Sequence, residues 1–406
     1  MTTRSGVAIT GVGIVSAAVT GDSAALGAFL AAPVAPPDTA FGAGALAALV
    51  DPDEARRLSR VCQLTVTAAR LALRESGLER DAALGLVVGT EFGDLGSTHA
   101  FADGFLARGP AGLSALLFPN TVMNTMIATT AIAVGAREMA LTLNAPTVAG
   151  ELAVARATAA VASGRVPAVL VGGVDELDSV VEHELRRLGL AGERRGEGAA
   201  FLVLEPRATA HARGATVLGE VSAAAWRALR SRPWGIGRAR RSQAIEAVLR
   251  AAGAQPGDVG WVYASGSDDQ PRDRWEEAVL DAALPDGPPV SSLGRLLGRH
   301  AGLGVLRVAA AAWTARSGLL PVVNGTAHVA RVRPGRGLVH GLARGGAHVA
   351  LLGSREATRP KLSRASGFLR KPPLPSRRDI RYCRVRSTMV WSTSRTRAMS
   401  RNCISP

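Results

Sequence analysis

The stretch TLNAPTVAGELAVARATAAVASGRVPAVLVGGVDE, residues 142–176, has the pattern of a strand, a sharp turn, a helix and a second strand. Many enzymes use this arrangement to present a nucleophile at the turn, because the helix N-terminus favours a negative charge there. The turn falls at residues 145–150, APTVAG, and its one reactive group is the hydroxyl of Thr147. The segment therefore predicts the shape of a catalytic turn without an evident thiol to act in it.

Strands and helices alternate on both sides of this segment. Continuous apolar runs at residues 84–89 and 166–174 predict strands that are buried on both faces of a sheet. Residues 56–76 predict an amphipathic helix that ends at Gly77. The second half repeats the alternation and closes with two strands around a glycine turn in GLVHGLARGGAHVALLG. The pattern predicts an α/β fold with mostly parallel, two-sided buried sheets.

The net charge of +15 is concentrated at the C-terminal end of the chain. Residues 355–406 hold 14 Lys and Arg side chains and two acidic ones, so the remaining 354 residues have a net charge of only +3. This segment is rich in Arg, Ser, Thr and Pro and shows no helical or strand period, which predicts disorder. Two alternatives remain for it: a basic arm that binds nucleic acid, or the product of an out-of-frame reading of GC-rich DNA.

Cysteine usage argues against a metal site and a disulfide framework. Cys383 and Cys403 lie in the basic tail, and Cys62 is alone in the body among residues typical of a core, where a small buried hydrophobe is expected. No apolar run approaches the roughly 18 residues of a membrane span. The first residues lack the charged region and cleavage site of a signal peptide. We therefore expect a cytoplasmic protein without a metal or cofactor.

The glycines of TGVGIVS, near the N-terminus, invite comparison with a dinucleotide-binding loop. Gly11 and Gly13 occupy the first two glycine positions, but Ser16 occupies the third. No acidic residue follows at the distance that ribose binding requires. A tight turn after the strand at residues 7–10 is the favoured interpretation.

Seven motifs, in order along residues 6–353, resemble those of the β-ketoacyl synthase family of the thiolase superfamily. They are VAITGVGIVS, FPNTVMN, ASGRVPAVLVGGVDE, GEGAAFLVLE, VSSLGRLLGRHAG, SGLLPVVNG and GLARGGAHVALLG. The resemblance implies a duplicated α-β-α-β-α sandwich, with an N-terminal half at residues 1–215, a C-terminal half at 216–354 and the tail at 355–406. It also implies a dimer that extends acyl chains on acyl carrier protein, with a Cys nucleophile, two His and a Lys.

None of these catalytic residue types stands at the matching position of this chain. The nucleophile position falls on Thr147, and the first histidine position falls on Ser265. Gly294 stands at the lysine, Arg299 at the second histidine, and Arg344 at the phenylalanine that gates the family's site. The resemblance therefore implies that no residue of this chain is catalytic and that the chain is inactive alone.

Thr147 has a structural and a chemical interpretation. The structural one is an N-cap hydroxyl for the helix that begins near Gly150, with Glu151 complementing the helix dipole. The chemical one is a weak nucleophile, which needs a base such as His300 after a local rearrangement. The remaining histidines of the body that show no triad or metal spacing are expected to be structural: His183, His211, His328, His340 and His348.

The resemblance is to the chain-length-factor-like subunits of the family. It implies a non-catalytic subunit that forms a heterodimer with an active ketosynthase and shapes the acyl tunnel in type II polyketide or fatty-acid-like biosynthesis. Thr147 departs from the glutamine of aromatic chain-length factors, and FPNTVMN and VGGVDE are closer to subunits for reduced or polyene-type chains. The alternatives are an active 3-oxoacyl-[acyl-carrier-protein] synthase or acyltransferase that uses Thr147, and a non-functional product.

The most clustered positive charge of the body lies in RALRSRPWGIGRARRSQ, residues 227–243. A solvated loop is one interpretation of this run. The other is a surface that attracts an acidic acyl carrier protein. Nucleic-acid binding would rest on the tail alone and is not expected.

Overall fold

The computed structural model describes residues 2–79, 82–190, 192–324, 326–333 and 335–354. The strands in these residues are β1 Thr2–Ser16, β2 Thr20–Gly21, β3 Leu84–Thr90, β4 Ala140–Asn144, β5 Ala168–Asp175, β6 Gly198–Pro206, β7 Gly219–Ala228, β8 Val259–Tyr263, β9 Val290–Ser291, β10 Leu319–Asn324, β11 Thr326–Arg331, β12 Arg336–Leu342 and β13 Ala347–Ser354. The tail at residues 355–406, for which the sequence predicts disorder, lies outside the described residues.

The helices follow the predicted alternation with the strands. They are α1 Ser23–Ala31, α2 Ala43–Ala47, α3 Pro52–Ala55, α4 Arg60–Ser76, α5 Leu95–Arg108, α6 Thr125–Val134, α7 Ala149–Ala162, α8 Ser179–Arg187, α9 Arg207–Ala212, α10 Gln243–Ala252, α11 Gln270–Ala283, α12 Gly294–Leu297 and α13 Ala301–Ser317. The predicted end of α4 is confirmed, because Gly77 adopts the left-handed conformation that stops a helix.

One large sheet runs through the whole body in the order β4-β3-β5-β6-β1-β7-β13-β12-β8-β9, while β10 and β11 form a separate ribbon. The sheet is mixed, so the prediction of mostly parallel sheets is wrong in this detail. β3 pairs in parallel with β4 and β5, and β8 with β9 and β12, but β1, β6, β7 and β13 pair antiparallel with their neighbours. Only four residues join β12 to β13, which is too short for the crossover that a parallel pair requires.

The helices and the two halves of this sheet together form five layers, as predicted. Helices α7 and α13 pack against each other between the two halves of the sheet, and their alanines and valines form the central core with β1, β5 and β12. α4 and α6 cover the outer face of the first half, and α10 and α11 cover that of the second. The α-β-α-β-α layering is therefore confirmed. The boundary between the halves at residues 215 and 216 stays a prediction.

The glycine pair near the N-terminus serves packing rather than a turn. Strand β1 continues through Gly11 and Gly13 to Ser16, so the predicted turn after residue 10 is wrong. A Cβ on Gly11 would lie 2.2 Å from the carbonyl oxygen of Ala72, and one on Gly13 would lie 2.0 Å from that of Ala68. The two glycines let helix α4 lie directly on the strand.

Candidate functional site

The turn between β4 and α7 has the shape of a nucleophile elbow. β4 ends at Asn144, α7 begins at Ala149, and Thr147 between them has a φ of 63°. A β-branched residue is an outlier in the left-handed region, and such strain costs about 1–3 kcal/mol. The turn therefore keeps a conformation that is costly for the residue it holds.

Thr147 is not the N-cap of helix α7. The N-cap is Val148, which has no polar side chain, so the predicted N-cap hydroxyl is wrong by one position. The left-handed backbone of Thr147 places it outside the helix. Glu151 lies in the first turn as predicted, and its buried carboxylate forms an ion pair with Arg307 of α13.

The N-termini of α7 and α13 meet at this elbow. A Cβ on Gly150 would lie 2.1 Å from the carbonyl oxygen of Ala301, and one on Gly173 would lie 2.4 Å from the same atom. Only glycine allows this approach at the two positions. The backbone N–H of Ala301 donates to Asp175 Oδ2 at 2.7 Å, which fixes the start of α13 beside the end of β5. Arg299 immediately precedes this junction.

A cavity of about 20 Å³ lies beside Thr147. Thr147, Arg299 and Arg344 line it, so the structure brings three of the five predicted site positions together. The other lining residues are acidic, basic or large and apolar: Glu91, Glu193, Arg195, Asp269, Leu185, Leu190 and Trp234. None of these described lining residues is a histidine, lysine or cysteine. A cavity of this volume holds about one water molecule.

Arg299 is held between two glutamates. Its guanidinium donates to both carboxylate oxygens of Glu91, with Nη2 3.2 Å from Oε1, and its Nε lies 2.6 Å from Glu193 Oε1. Arg195 approaches the same acids, with Nη2 3.3 Å from Glu91 Oε2 and Nη1 3.7 Å from Glu193 Oε2. We call these four residues the arginine–glutamate cluster. They hold two positive and two negative charges, so the cluster is neutral.

The cluster keeps its charges despite burial. Burial raises the pKa of Glu193, but Arg299 and Arg272 outweigh it and hold that pKa at about 2. Burial likewise disfavours the charged form of Arg299, yet Glu193 and Glu91 raise its pKa above the usual value. Burial and the neighbouring Arg299 lower the pKa of Arg195. A glutamate that stays ionised to this pH is a poor proton acceptor at neutral pH.

Arg344 lines the cavity together with its acidic partner Asp269. It forms a bidentate pair with Asp269, with both N···O distances at 2.6 Å. Trp234 also lines the cavity, has a φ of 56° and is 52% exposed. The basic run at residues 227–243 therefore contributes directly to the mouth of the cavity, a link that the sequence did not predict.

Ser265 and Gly294 lie elsewhere. Ser265 is buried, donates from its hydroxyl to Glu276 Oε2 at 2.7 Å and accepts from the N–H of Leu342 at 3.1 Å. A Cβ on Gly294 would lie 2.5 Å from the carbonyl oxygen of Gly266. The loop that follows β8 therefore fills the space that a side chain at residue 294 would need.

The histidines near this region are built into the core. His300 is fully buried, its pKa is lowered to about 3 by burial, and it is not among the lining residues of the cavity. Its backbone is extended, which turns its side chain away from the side that Arg299 occupies. His340 is hydrogen-bonded to Glu276 at 2.8 Å, as expected for a structural histidine.

Two smaller expectations concern cysteine and metal. Cys62 is buried in the outer core of the first half, and burial raises the pKa of its thiol, so it is a small hydrophobe as predicted. The described part of the chain contains no group of three or more His, Cys, Asp and Glu side chains arranged to hold a metal ion. Of the described helices, none combines the length and apolar character that a membrane crossing requires.

Comparison with known proteins shows a similarity to β-ketoacyl synthases. Residues 27–210 match the model of the β-ketoacyl synthase N-terminal domain. The polyketide β-ketoacyl synthase 1 of Streptomyces virginiae is 29% identical over 309 residues, which cover 67% of this chain and 73% of that protein. The 3-oxoacyl-[acyl-carrier-protein] synthase 2 of Synechocystis is 26% identical over 290 residues, 63% of this chain and 69% of that protein. The chain is therefore similar to β-ketoacyl synthases, and residues 27–210 match their N-terminal domain.

Solved structures confirm that the fold is thiolase-like. The ishigamide ketosynthase/chain length factor superposes with a TM-score of 0.78 at 22% identity and covers 87% of this chain and 100% of its own. A type II polyketide synthase acyl-carrier protein in complex with its ketosynthase gives a TM-score of 0.73 at 16% identity, with the same coverage of both chains. The assignment of Thr147, Ser265, Gly294 and Arg299 to the family's catalytic positions stays a prediction.

Proposed function

We propose that this chain is a non-catalytic, chain-length-factor-like subunit that pairs with an active ketosynthase and shapes the acyl tunnel in type II polyketide or fatty-acid-like biosynthesis. One observation carries the proposal. Thr147 faces the arginine–glutamate cluster instead of imidazoles, in a cavity of about 20 Å³. A hydroxyl needs a general base to become a nucleophile, and every acid in the cluster is engaged by arginine.

Support for the partner comes from one edge of the sheet. β4 is the last strand at that edge, and within the described residues its outer side has no neighbour. The adjoining segment from α5 to α6 exposes large apolar side chains: Phe105, Leu106, Leu113, Leu116, Phe118, Val122, Met123 and Ile132. An unpaired edge beside a broad apolar surface favours a partner that covers both. In this proposal, the same apolar side chains form this subunit's wall of the tunnel.

Support for a carrier protein comes from the loop at the cavity mouth. Arg230, Arg232, Arg238 and Arg240 are exposed, and Trp234 adds an aromatic surface beside them. Such a surface attracts an acidic partner and speeds its association at low ionic strength. We include acyl carrier protein among the partners of the assembled heterodimer on this ground.

The first prediction concerns acylation. The intact mass of the isolated chain, measured after incubation with acyl carrier thioesters of several lengths, is expected to remain unchanged. The variant Thr147→Ala is the matched control, because it removes the hydroxyl and leaves the cluster intact. An adduct on the wild-type chain that is absent from Thr147→Ala would show that Thr147 is a nucleophile, and the proposal would then be wrong.

A second candidate function is an active 3-oxoacyl-[acyl-carrier-protein] synthase that uses Thr147. The left-handed Thr147 favours it, since strain at a functional turn is retained when it serves the chemistry. Under this alternative, Thr147→Ala abolishes condensation by the assembled pair. Under our proposal, the pair keeps its activity in Thr147→Ala and loses it when the partner's own nucleophile is removed.

The second prediction concerns the heterodimer. Leu106 and Ile132 are 79% and 85% exposed in the single chain, so a charged side chain at either position leaves the fold intact. Leu106→Glu and Ile132→Glu are each expected to weaken association with the ketosynthase by roughly 100-fold, because an unpaired carboxylate would be buried at the interface. Calorimetry or analytical ultracentrifugation gives the dissociation constant. Val34→Glu, at a 71% exposed position outside this segment, is the control and should bind normally.

A further inference from the structure

Two buried carboxylates accept hydrogen bonds from the first turn of helix α5. Asp94 is the N-cap, and its Oδ1 accepts from the N–H of Ser97 at 2.9 Å. Glu176, which follows β5, accepts through Oε1 from the N–H of Gly96 at 2.8 Å. Asp94 is 3% exposed and Glu176 is 7% exposed. The two acids therefore accept from neighbouring amides at the positive end of one helix.

One oxygen of this pair lacks a donor. Asp94 Oδ2 is buried without a hydrogen-bond partner among the described residues. Leaving a buried carboxylate oxygen unsatisfied is costly, and a nearby O–H group would remove the cost. The amides of Gly96 and Ser97 are consecutive, so the two carboxyl groups that accept from them lie side by side. Glu176 can supply a donor at this helix terminus when its carboxyl group carries a proton.

The surroundings favour the protonated form. Burial, followed by Asp94 and Glu197, raises the pKa of Glu176 to about 7, against the opposing effect of the Gly96 and Leu95 amides. Arg60 is engaged mainly by Glu197, to which its Nε donates at 3.0 Å, and Glu176 has a smaller effect on the pKa of Arg60. The other titratable groups around the pair, on α4, β5, α5 and the segment after β5, are Cys62, Asp175, His99 and Asp178. His99 pairs with Asp178 at 3.2 Å and is likewise engaged elsewhere.

We propose that Asp94 and Glu176 share one proton, carried by Glu176 and donated towards Asp94 Oδ2, and that this pair is a pH-sensitive clasp on the first turn of α5. When the proton leaves for solvent, two adjacent carboxylates remain at the helix N-terminus. Their repulsion loosens the turn.

The direction of the effect follows from the raised pKa. The folded protein holds a proton that the unfolded chain releases above about pH 4.5, so the stabilisation by the neutral form is lost as pH rises through about 7. Helix α5 carries Phe105 and Leu106, so a looser α5 weakens the surface offered to a ketosynthase. That last consequence rests on the proposed function, whereas the clasp itself does not.

The third prediction tests the clasp on the isolated full-length chain. Hydrogen exchange of the amides at residues 95–98, corrected for intrinsic exchange rates, is compared at pH 6 and pH 8. The wild-type protection factor is expected to fall by about tenfold across this range, as one proton released at about pH 7 requires. Glu176→Gln keeps a neutral group that donates to Asp94, and its protection should not change with pH.

The control is Glu184→Gln, on the exposed face of α8, which should respond to pH as the wild type does. A fall in protection that persists in Glu176→Gln would overturn the proposal. So would a carbon-13 titration that places the Glu176 carboxyl near pH 4.5. If Glu176→Gln does not fold, Asp94→Asn serves in its place, since its amide donates to Glu176 and removes the need for a shared proton. Association with the ketosynthase is measured separately, so failure of the pairing proposal is distinguishable from failure of the clasp.

Discussion

Replacing Arg299 by alanine is expected to lower the free energy of unfolding by about 3–5 kcal/mol at pH 7, the usual cost of removing one partner from a buried ion pair. Arg299 is almost fully buried, and it forms ion pairs with both Glu91 and Glu193. Arg195 alone cannot compensate two carboxylates, since its contacts with them are longer. Urea unfolding followed by circular dichroism measures the change.

The pH dependence of the same variant separates charge from packing. The depressed pKa of Glu193 contributes stability above its unfolded value of about 4.5, and this contribution is lost as pH falls towards 2. The difference between wild type and Arg299→Ala should therefore shrink below pH 4.5. Arg241→Ala, which removes an exposed pair with Glu246, is the control and should unfold like the wild type. A difference that stays constant with pH would contradict the electrostatic account.

The same contacts determine what a histidine at residue 299 could do. The resemblance predicts that an active member of the family has its second histidine at this position. Here it would face Glu91 and Glu193 and would have to be charged to replace the arginine. A charged imidazole cannot accept the proton of Thr147. In this chain, the cluster and a basic histidine therefore exclude each other.

Much of the fold could be predicted from the sequence because it depends on local patterns. The elbow at Thr147 follows from an apolar strand, a short turn and an Ala-rich helix, and all three are present where predicted. The layering follows from continuous apolar runs such as β5, whose residues are buried on both faces. Whether each pair of strands is parallel or antiparallel could not be predicted in the same way, because it depends on which strands become neighbours.

The partners of Arg299 could not be predicted from a single sequence. Glu91 is 208 residues away, and no spacing rule connects the two. Glu193 and Arg195 lie in the charged run ERRGE, which has the composition of a solvated loop. The sequence therefore predicted the hydroxyl of Thr147 at the turn, but not the charged cluster that lines the cavity beside it. Similarly, Thr147 was expected to cap α7, because a difference of one residue at a helix start has no sequence signal.

A lysine at residue 294, where the resemblance predicts the family's lysine, is expected to destabilise the chain by about 3 kcal/mol or more, from overpacking together with a buried unpaired charge. A Cβ there meets the backbone oxygen of Gly266 at 2.5 Å and the Cβ of Ser267 at 3.1 Å. Neither atom is the flexible end of a side chain, so the loop after β8 would have to move. Thermal and urea unfolding of Gly294→Lys measures the cost.

Gly294→Ala and Gly44→Lys are the two control variants for this measurement. The alanine variant carries the packing cost alone and should lose about 1–3 kcal/mol, so the difference between the two variants at residue 294 reports the buried charge. Gly44 is exposed on α2, and a Cβ there meets nothing within 4 Å, so lysine at that position should be tolerated. If Gly294→Lys proves as stable as wild type, the loop after β8 opens readily, and the site has room for the lysine that an active synthase would need. That result would favour the alternative function, an active synthase that uses Thr147, whereas a closed loop argues against it.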